Sequence, residues 1–231
     1  MNYGLNQGTV EYAIEQLPKK MKEDIGVEWK VVPKRAVWWM WVLTILHEIF
    51  TFRWFLRIIQ QYKGKSFIDQ GYLMALNVLY VPGTLEDWNN SSSSHRLRLM
   101  LHEMQHIYDY NCHNGYKCMS GEERCEKRSW ISRAWWGISY FIWPVPILKA
   151  WNRANKEKSA IRRELELHIL REGTVRDWFK ENVIRNMTGS FYGFPLLKRD
   201  AEFMAQDVAR LALDDWRSDS MVLQQFQKME K

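Results

Sequence analysis

The segment 97–110, LRLMLHEMQHIYDY, places the strongest single constraint on how this chain can fold. Most of its residues favour helix, and four serines at 91–94 precede it as candidate N-caps. Its apolar residues occur on every side of a helical projection, which predicts a buried helix. A buried helix that carries two histidines and a glutamate must provide partners for them, because each unpaired polar group costs about 1–3 kcal/mol.

The polar residues of this segment form an H-E-x-x-H pattern, with His102, Glu103 and His106 as its defining members. Residues four apart share one face of a helix, so the two imidazoles can bind the same metal ion. The carboxylate of Glu103 can then reach a metal-bound water rather than the metal itself. The pattern predicts a Zn²⁺ site with Glu103 as general base. The alternative is a core helix whose histidines are hydrogen-bonded to their neighbours.

Composition limits the class of protein. The chain has 231 residues, of which 46% are hydrophobic and 26% charged, as expected for a globular protein, and we predict one domain over 1–231. The formal net charge is +6, but the 33 Lys and Arg residues are scattered rather than grouped, so no specific nucleic-acid interaction is indicated. Residues 1–24 lack the apolar core of a signal peptide.

Three cysteines, Cys112, Cys118 and Cys125, follow the H-E-x-x-H helix. Their odd number predicts no disulfide framework and favours a reducing, cytoplasmic location. Together with His113 they offer a second, structural zinc site as a weaker alternative, because their spacings are wider than those of a usual zinc knuckle.

Hydrophobic periodicity predicts an α+β fold that is mainly α. Helices are predicted at 10–22, 36–62, 155–172, 175–186 and 200–216, and short strands at 26–33 and 76–81. Two Trp-rich stretches, 36–56 and 130–151, raise the question of a membrane. Charged residues interrupt the first and prolines the second, so a membrane span is not expected, although peripheral membrane contact stays an alternative.

A catalytic zinc ion needs a third protein ligand. The helix at 159–171 offers Glu164, which shares a face with Ala160, Ile161 and His168, and this apolar setting makes it the preferred candidate. Glu166 lies on a more mixed surface and is the second choice. The alternative for both is a solvated, charged helix face.

Three other residues could complete the site. Cys112 or His113 lies just downstream, but the astacin and matrixin pattern requires glycine and histidine where Asp109 and Cys112 stand here. Glu202, on the last helix, is flanked by alanines that permit close approach.

The order of these features resembles the zincin metallopeptidases. A strand ending at Pro82, a polar loop, the H-E-x-x-H helix, an aromatic stretch with prolines and an R-x-E-x-E helix follow one another over about residues 75–170. The chain looks most like the gluzincin branch, in its minimal form frequent in bacteriophages and bacteria. The resemblance implies a small sheet beside the buried helix, a later Glu-bearing helix and a peptide or protein substrate. Residues 1–70 have no counterpart in it, and 175–231 are further helices.

The resemblance also implies roles for individual residues. Zinc would be held by His102, His106 and Glu164, with Glu103 moving the proton. Asp109 could orient a ligand imidazole or be a surface carboxylate. His168 could contact the oxyanion or pack in the core, and Tyr140 and Tyr108 are further oxyanion candidates. The strand at 76–81 is the candidate edge strand for aligning a substrate backbone.

Two functions from other classes compete with the peptidase. One is a zinc-stabilised, catalytically idle structural or interaction protein, such as a self-assembling virion component, favoured by the aromatic-rich remainder of the chain. The other is a peripheral membrane protein anchored by Trp38, Trp39, Trp41 and Trp54. The expected location is cytoplasmic or virion-associated.

Overall fold

The computed structural model of the chain describes residues 7–50, 67–69, 73–75, 77–141, 146–188 and 197–217. The helices are α1 Gln7–Ile25, α2 Trp38–Phe50, α3 Leu85–Asn90, α4 Ser93–Asn111, α5 Gly115–Ser120, α6 Trp130–Phe141, α7 Pro146–Glu172, α8 Asp177–Thr188 and α9 Lys198–Arg217. The strands are β1 Lys30–Pro33, β2 Leu73–Ala75 and β3 Val78–Val81. The expected fold class, α+β and mainly α, is confirmed.

The chain divides into two compact units, one formed by 1–27 with 93–231 and the other by 28–92. The first unit contains the H-E-x-x-H helix and the second contains the sheet. The sequence predicts that 1–231 fold as a single domain. Whether the two units fold together in this way stays a prediction.

The sheet of the second unit has the strand order β1-β3-β2. β3 pairs in parallel with β1, placing Val31 opposite Leu79, and antiparallel with β2, placing Met74 opposite the same residue. The predicted strand is therefore present, but its proposed role as an edge for substrate addition is wrong. Hydrogen bonding on both sides leaves the β3 backbone no free edge.

The H-E-x-x-H helix, α4, is the centre of the first unit. It packs against α1, α5, α6 and α7, and Leu97, Met104 and Ile107 on it are fully buried. This confirms the prediction of a buried helix. α7 begins at Pro146, well before the charged segment predicted as helix, because proline is well tolerated in the first turn.

α7, α8 and α9 share an apolar core that holds the C-terminal helices together. Its buried members include Ile161, Leu165, Phe179, Val183 and Val208. This core packs α8 and α9 against α7, the helix that also contacts α4.

The connector after α4 is tied to the end of that helix. Cys112 forms a disulfide with Cys125, and the Arg128 Nε donates hydrogen bonds to the carbonyl oxygens of Asp109 at 2.9 Å and Cys112 at 3.0 Å. The odd number of cysteines predicted no disulfide framework, and this bridge shows that the prediction was wrong. The cause is the turn of the chain around α5, which brings together cysteines 13 residues apart. Cys118 remains a buried thiol.

Among the helices that the structure describes, none has both the length and the apolar character required to cross a bilayer.

Lys34, directly after β1, provides a pH-dependent test of the second unit. Its side chain is almost fully buried, and this burial lowers the pKa of the ammonium group from 10.5 to about 8, although Asp69 acts in the opposite direction. A cation with a lowered pKa in the folded state destabilises the fold below that pKa. The penalty disappears as the pH rises from about 8 towards the unfolded value.

We therefore expect wild-type stability to increase, relative to Lys34→Met, between about pH 8 and about pH 10.5. Urea unfolding midpoints of the two proteins across this range measure the effect. Parallel pH profiles would show that Lys34 titrates normally in the folded state.

Candidate metal centre

Three ligand atoms from α4 and α7 lie at the corners of a nearly equilateral triangle. The His102 Nε2 and His106 Nε2 are 3.3 Å apart, and each is 3.3 Å from the Glu157 Oε2. The four-residue spacing turns both imidazoles to one side of α4, and Glu157 reaches them from α7. These three residues form a group that could hold a metal ion.

The triangle has the dimensions of a tetrahedral metal site. An ion bound at about 2.0–2.1 Å by nitrogen and oxygen ligands keeps those ligands about 3.3–3.4 Å apart. The group is also protected from water, since Glu157 is 2% and His106 is 8% exposed. Buried carboxylates are rarely left without a compensating cation, so the donor set fits a divalent ion.

Glu164, the sequence-based candidate for third ligand, lies on the other side of the His102 ring. Its Oε1 is 2.7 Å from His102 Nδ1, and its Oε2 is 3.8 Å from Arg98 Nε. The structure thus brings Glu157, and not Glu164, to the two Nε2 atoms. A carboxylate on the distal nitrogen of a metal-binding histidine fixes the orientation of the ring, and Glu164 is placed to do this.

Sequence alone does not single out Glu157, because two glutamates share one face of α7. Glu157 and Glu164 are seven residues apart, close to two helical turns, so helical phase cannot separate them. Ala160 and Ile161 lie between the two glutamates on that face, so these apolar neighbours favour neither residue.

The charges of the triangle stabilise one another. Burial would lower the pKa of His102, but the carboxylates of Glu157 and Glu164 outweigh it and raise that pKa well above its usual value. Burial would likewise raise the pKa of Glu157, whereas the charges of His106 and His102 hold it well below its usual range. The site therefore favours positive charge between its ligands.

Glu103 lies beside the triangle, and the pKa of its carboxyl group is shifted in the opposite direction to that of Glu157. Burial raises the pKa of Glu103, the two histidines oppose this, and the charges of Glu157 and Glu164 add to the increase. A raised pKa makes a carboxylate a better proton acceptor, as a general base beside a metal centre requires.

A buried network behind the site holds α4 against α7. The Gln105 Nε2 donates to Asp109 Oδ1 at 2.8 Å, and the Arg163 Nε donates to Gln105 Oε1 at 3.1 Å. Arg163 also donates to Glu166 Oε2 at 2.8 Å, and its guanidinium lies 3.8 Å from the centre of the Tyr116 ring. Glu166, the second sequence-based candidate ligand, is thus bound to Arg163.

Asp109, predicted either to orient a histidine or to be a surface carboxylate, belongs to this network. Burial raises the pKa of its carboxyl group, and the charge of His106 lowers it. Gln105 donates a hydrogen bond to this carboxyl group, and the choice between the two roles stays a prediction.

The remaining candidate ligands lie elsewhere. The three cysteine sulfurs lie within 4.8 Å of one another, but Cys112 is bonded to Cys125, so they could hold a metal only after that disulfide is reduced to thiols. The His113 Nδ1 is 3.3 Å from Arg128 Nη1, and Glu202 is 3.8 Å from Lys198 on the surface of α9.

The oxyanion candidates are also placed away from the triangle or outside the described side chains. His168 stacks on Phe179 at 5.9 Å between ring centres and meets Trp178 edge-on at 5.1 Å, which favours the packed-core interpretation. The Tyr108 hydroxyl donates to Asp24 at 2.7 Å. The side chain of Tyr140 falls outside the described residues.

Comparisons with protein-family models, with curated proteins and with solved structures found no match.

The network predicts a large energetic role for Arg163. Arg163→Met keeps most of the side-chain volume but leaves the buried Glu166 with the Tyr116 hydroxyl and Arg162 as its described partners, which should lower the free energy of unfolding by about 3 kcal/mol. Arg210→Met, which removes an exposed arginine paired with Asp207 on α9, is the matched control and should have a much smaller effect. Urea denaturation compares the two. Equal losses would contradict a central role for the buried network.

Proposed function

We propose that this protein is a zinc-dependent metallopeptidase. The observation that carries the proposal is the triangle of His102, His106 and Glu157 with Glu103 beside it. Two imidazoles and one carboxylate are a ligand set of catalytic zinc sites, which keep a further position open for water or substrate.

The ligand chemistry supports zinc over other common ions. Mg²⁺ and Ca²⁺ prefer sites built mainly from oxygen, whereas imidazole nitrogen suits zinc and the later transition metals. Bound zinc would supply a water whose pKa is lowered to about 7 and would polarise the carbonyl of the scissile amide.

The chain's own residues then have separate roles. His102, His106 and Glu157 would hold the ion, and Glu164 would keep the His102 ring in position. Glu103 would accept a proton as the water oxygen bonds to the carbonyl carbon. It would return that proton to the nitrogen as the C–N bond breaks, leaving a carboxylate and an amine.

The resemblance to gluzincins supports the same reaction. In that branch the third ligand is a glutamate on a helix after the H-E-x-x-H helix, and Glu157 on α7 meets this description at a position other than the one expected from sequence.

Glu103→Gln tests the proposal because it removes the proton acceptor and keeps the size of the side chain. We expect this variant to hydrolyse a mixed peptide library about 10²–10⁴-fold more slowly than the wild-type protein, with unchanged zinc content. Mass spectrometry of the cleavage products measures the rate. Glu126→Gln, an exposed residue of the connector, should retain activity. Undiminished cleavage by zinc-loaded Glu103→Gln would exclude the proposed role.

A catalytically idle interaction protein is the second candidate. It is favoured by α6, where Trp130, Ile131 and Trp135 are 72%, 62% and 59% exposed and form an apolar face suited to a partner or a membrane surface. That function predicts tight zinc binding and no hydrolysis of any peptide by the wild-type protein.

A further inference from the structure

A cavity of about 290 Å³ lies beside the candidate metal centre, between α4, α7 and α8. His102 and Glu164 form part of its wall. Because the Nε2 of His102 belongs to the triangle and Glu164 contacts its Nδ1, a ligand in this cavity would lie one imidazole ring away from the candidate metal position. The volume is at the small end for a ligand pocket, which suits one amino-acid residue rather than a long peptide segment.

The inner part of the cavity is apolar. Ile161 from α7 and Phe179, Val183 and Met187 from α8 line it, and all four belong to the buried core shared by the C-terminal helices. Rigid, buried apolar walls favour a hydrophobic side chain, because such a group leaves water when it binds.

Hydrogen-bond donors surround this apolar part. Arg98 on α4 and Asn182, Arg185 and Asn186 on α8 contribute two guanidinium groups and two amides. Guanidinium groups match carboxylates in both charge and shape, and amides can donate to the same oxygens.

The charge of the lining is positive overall. Glu164 is the single carboxylate among its described residues, and it already contacts His102 at 2.7 Å and Arg98 at 3.8 Å. Arg185, which donates to the neutral Asn182 side chain, adds a positive charge that Glu164 does not offset. An anionic group at the mouth of the cavity would be attracted there.

We propose that the cavity binds the C-terminal residue of a peptide substrate, with an apolar side chain inside and the free carboxylate on Arg98 and Arg185. This inference rests on the proposed peptidase function and makes it more specific. The enzyme would release C-terminal apolar residues, and peptides with a blocked C-terminus would be poor substrates.

Binding of two small probes separates the cavity from the reaction. N-acetyl-L-phenylalanine carries the side chain and the carboxylate, whereas its amide carries only the side chain. Isothermal titration of the zinc-loaded protein should show the acid binding at least about ten-fold more tightly than the amide, a difference typical of one charge-assisted contact.

Three variants locate the binding. Arg185→Gln removes a positive charge, and Asn186→Trp fills the mouth of the cavity. Each should weaken binding of the acid by about ten-fold or more. Arg176→Gln is the control, because Arg176 precedes α8, pairs with Glu172 and does not line the cavity. Equal affinity for the acid and the amide would overturn the inference. Binding of the acid that neither cavity variant weakens would also overturn it, because the carboxylate would then bind the metal directly.

The same samples distinguish this inference from the proposed function. If the protein binds zinc and cleaves peptides but binds the acid and the amide equally well, only the cavity assignment is refuted. Absence of zinc from the wild-type protein would refute the peptidase, whatever the probes do.

Discussion

The packing of α4 against α7 is the contact on which the rest of this molecule depends. It buries two imidazoles and a carboxylate around one point, with 3.3 Å between each pair of ligand atoms. Such an arrangement is unfavourable unless positive charge compensates the carboxylate, on a protonated imidazole or on a bound cation, because a buried carboxylate has lost its hydration. These polar groups lie at the centre of the first unit, where α1, α5 and α6 also contact α4. A structural element with this much buried polarity is expected at a functional site rather than in an ordinary core.

The surroundings of the triangle limit its movement. Glu164 contacts the distal nitrogen of His102, and Arg163 connects Gln105 on α4 to Glu166 on α7. Arg128 donates to carbonyl oxygens at the end of α4. These contacts hold the helix from both sides, as a site requires when its ligands must stay within a few tenths of an ångström of one geometry.

Sequence determined the parts of this structure that depend on local pattern. The helix around His102 and His106, its burial and the strand at 78–81 all follow from helix propensity, apolar distribution and β-branched residues. What sequence could not determine depends on contacts between distant segments. Glu157 and Glu164 have the same helical phase, and the relative placement of α4 and α7 decides between them. The central position of β3 depends on β1, which lies far earlier in the chain, and the pairing of Cys112 with Cys125 depends on the turn around α5 between them.

Zinc affinity of Glu157→Gln beside Glu164→Gln tests the central claim most directly, because the two substitutions are chemically identical and one helix face carries both residues. If Glu157 is the third ligand, purified wild-type protein should hold about one zinc ion per chain and Glu157→Gln should lose it. Glu164→Gln should keep the ion with affinity reduced by about 10–100-fold, as expected for a residue that only orients a ligand. Zinc retained by Glu157→Gln and lost from Glu164→Gln would contradict this account of the metal centre.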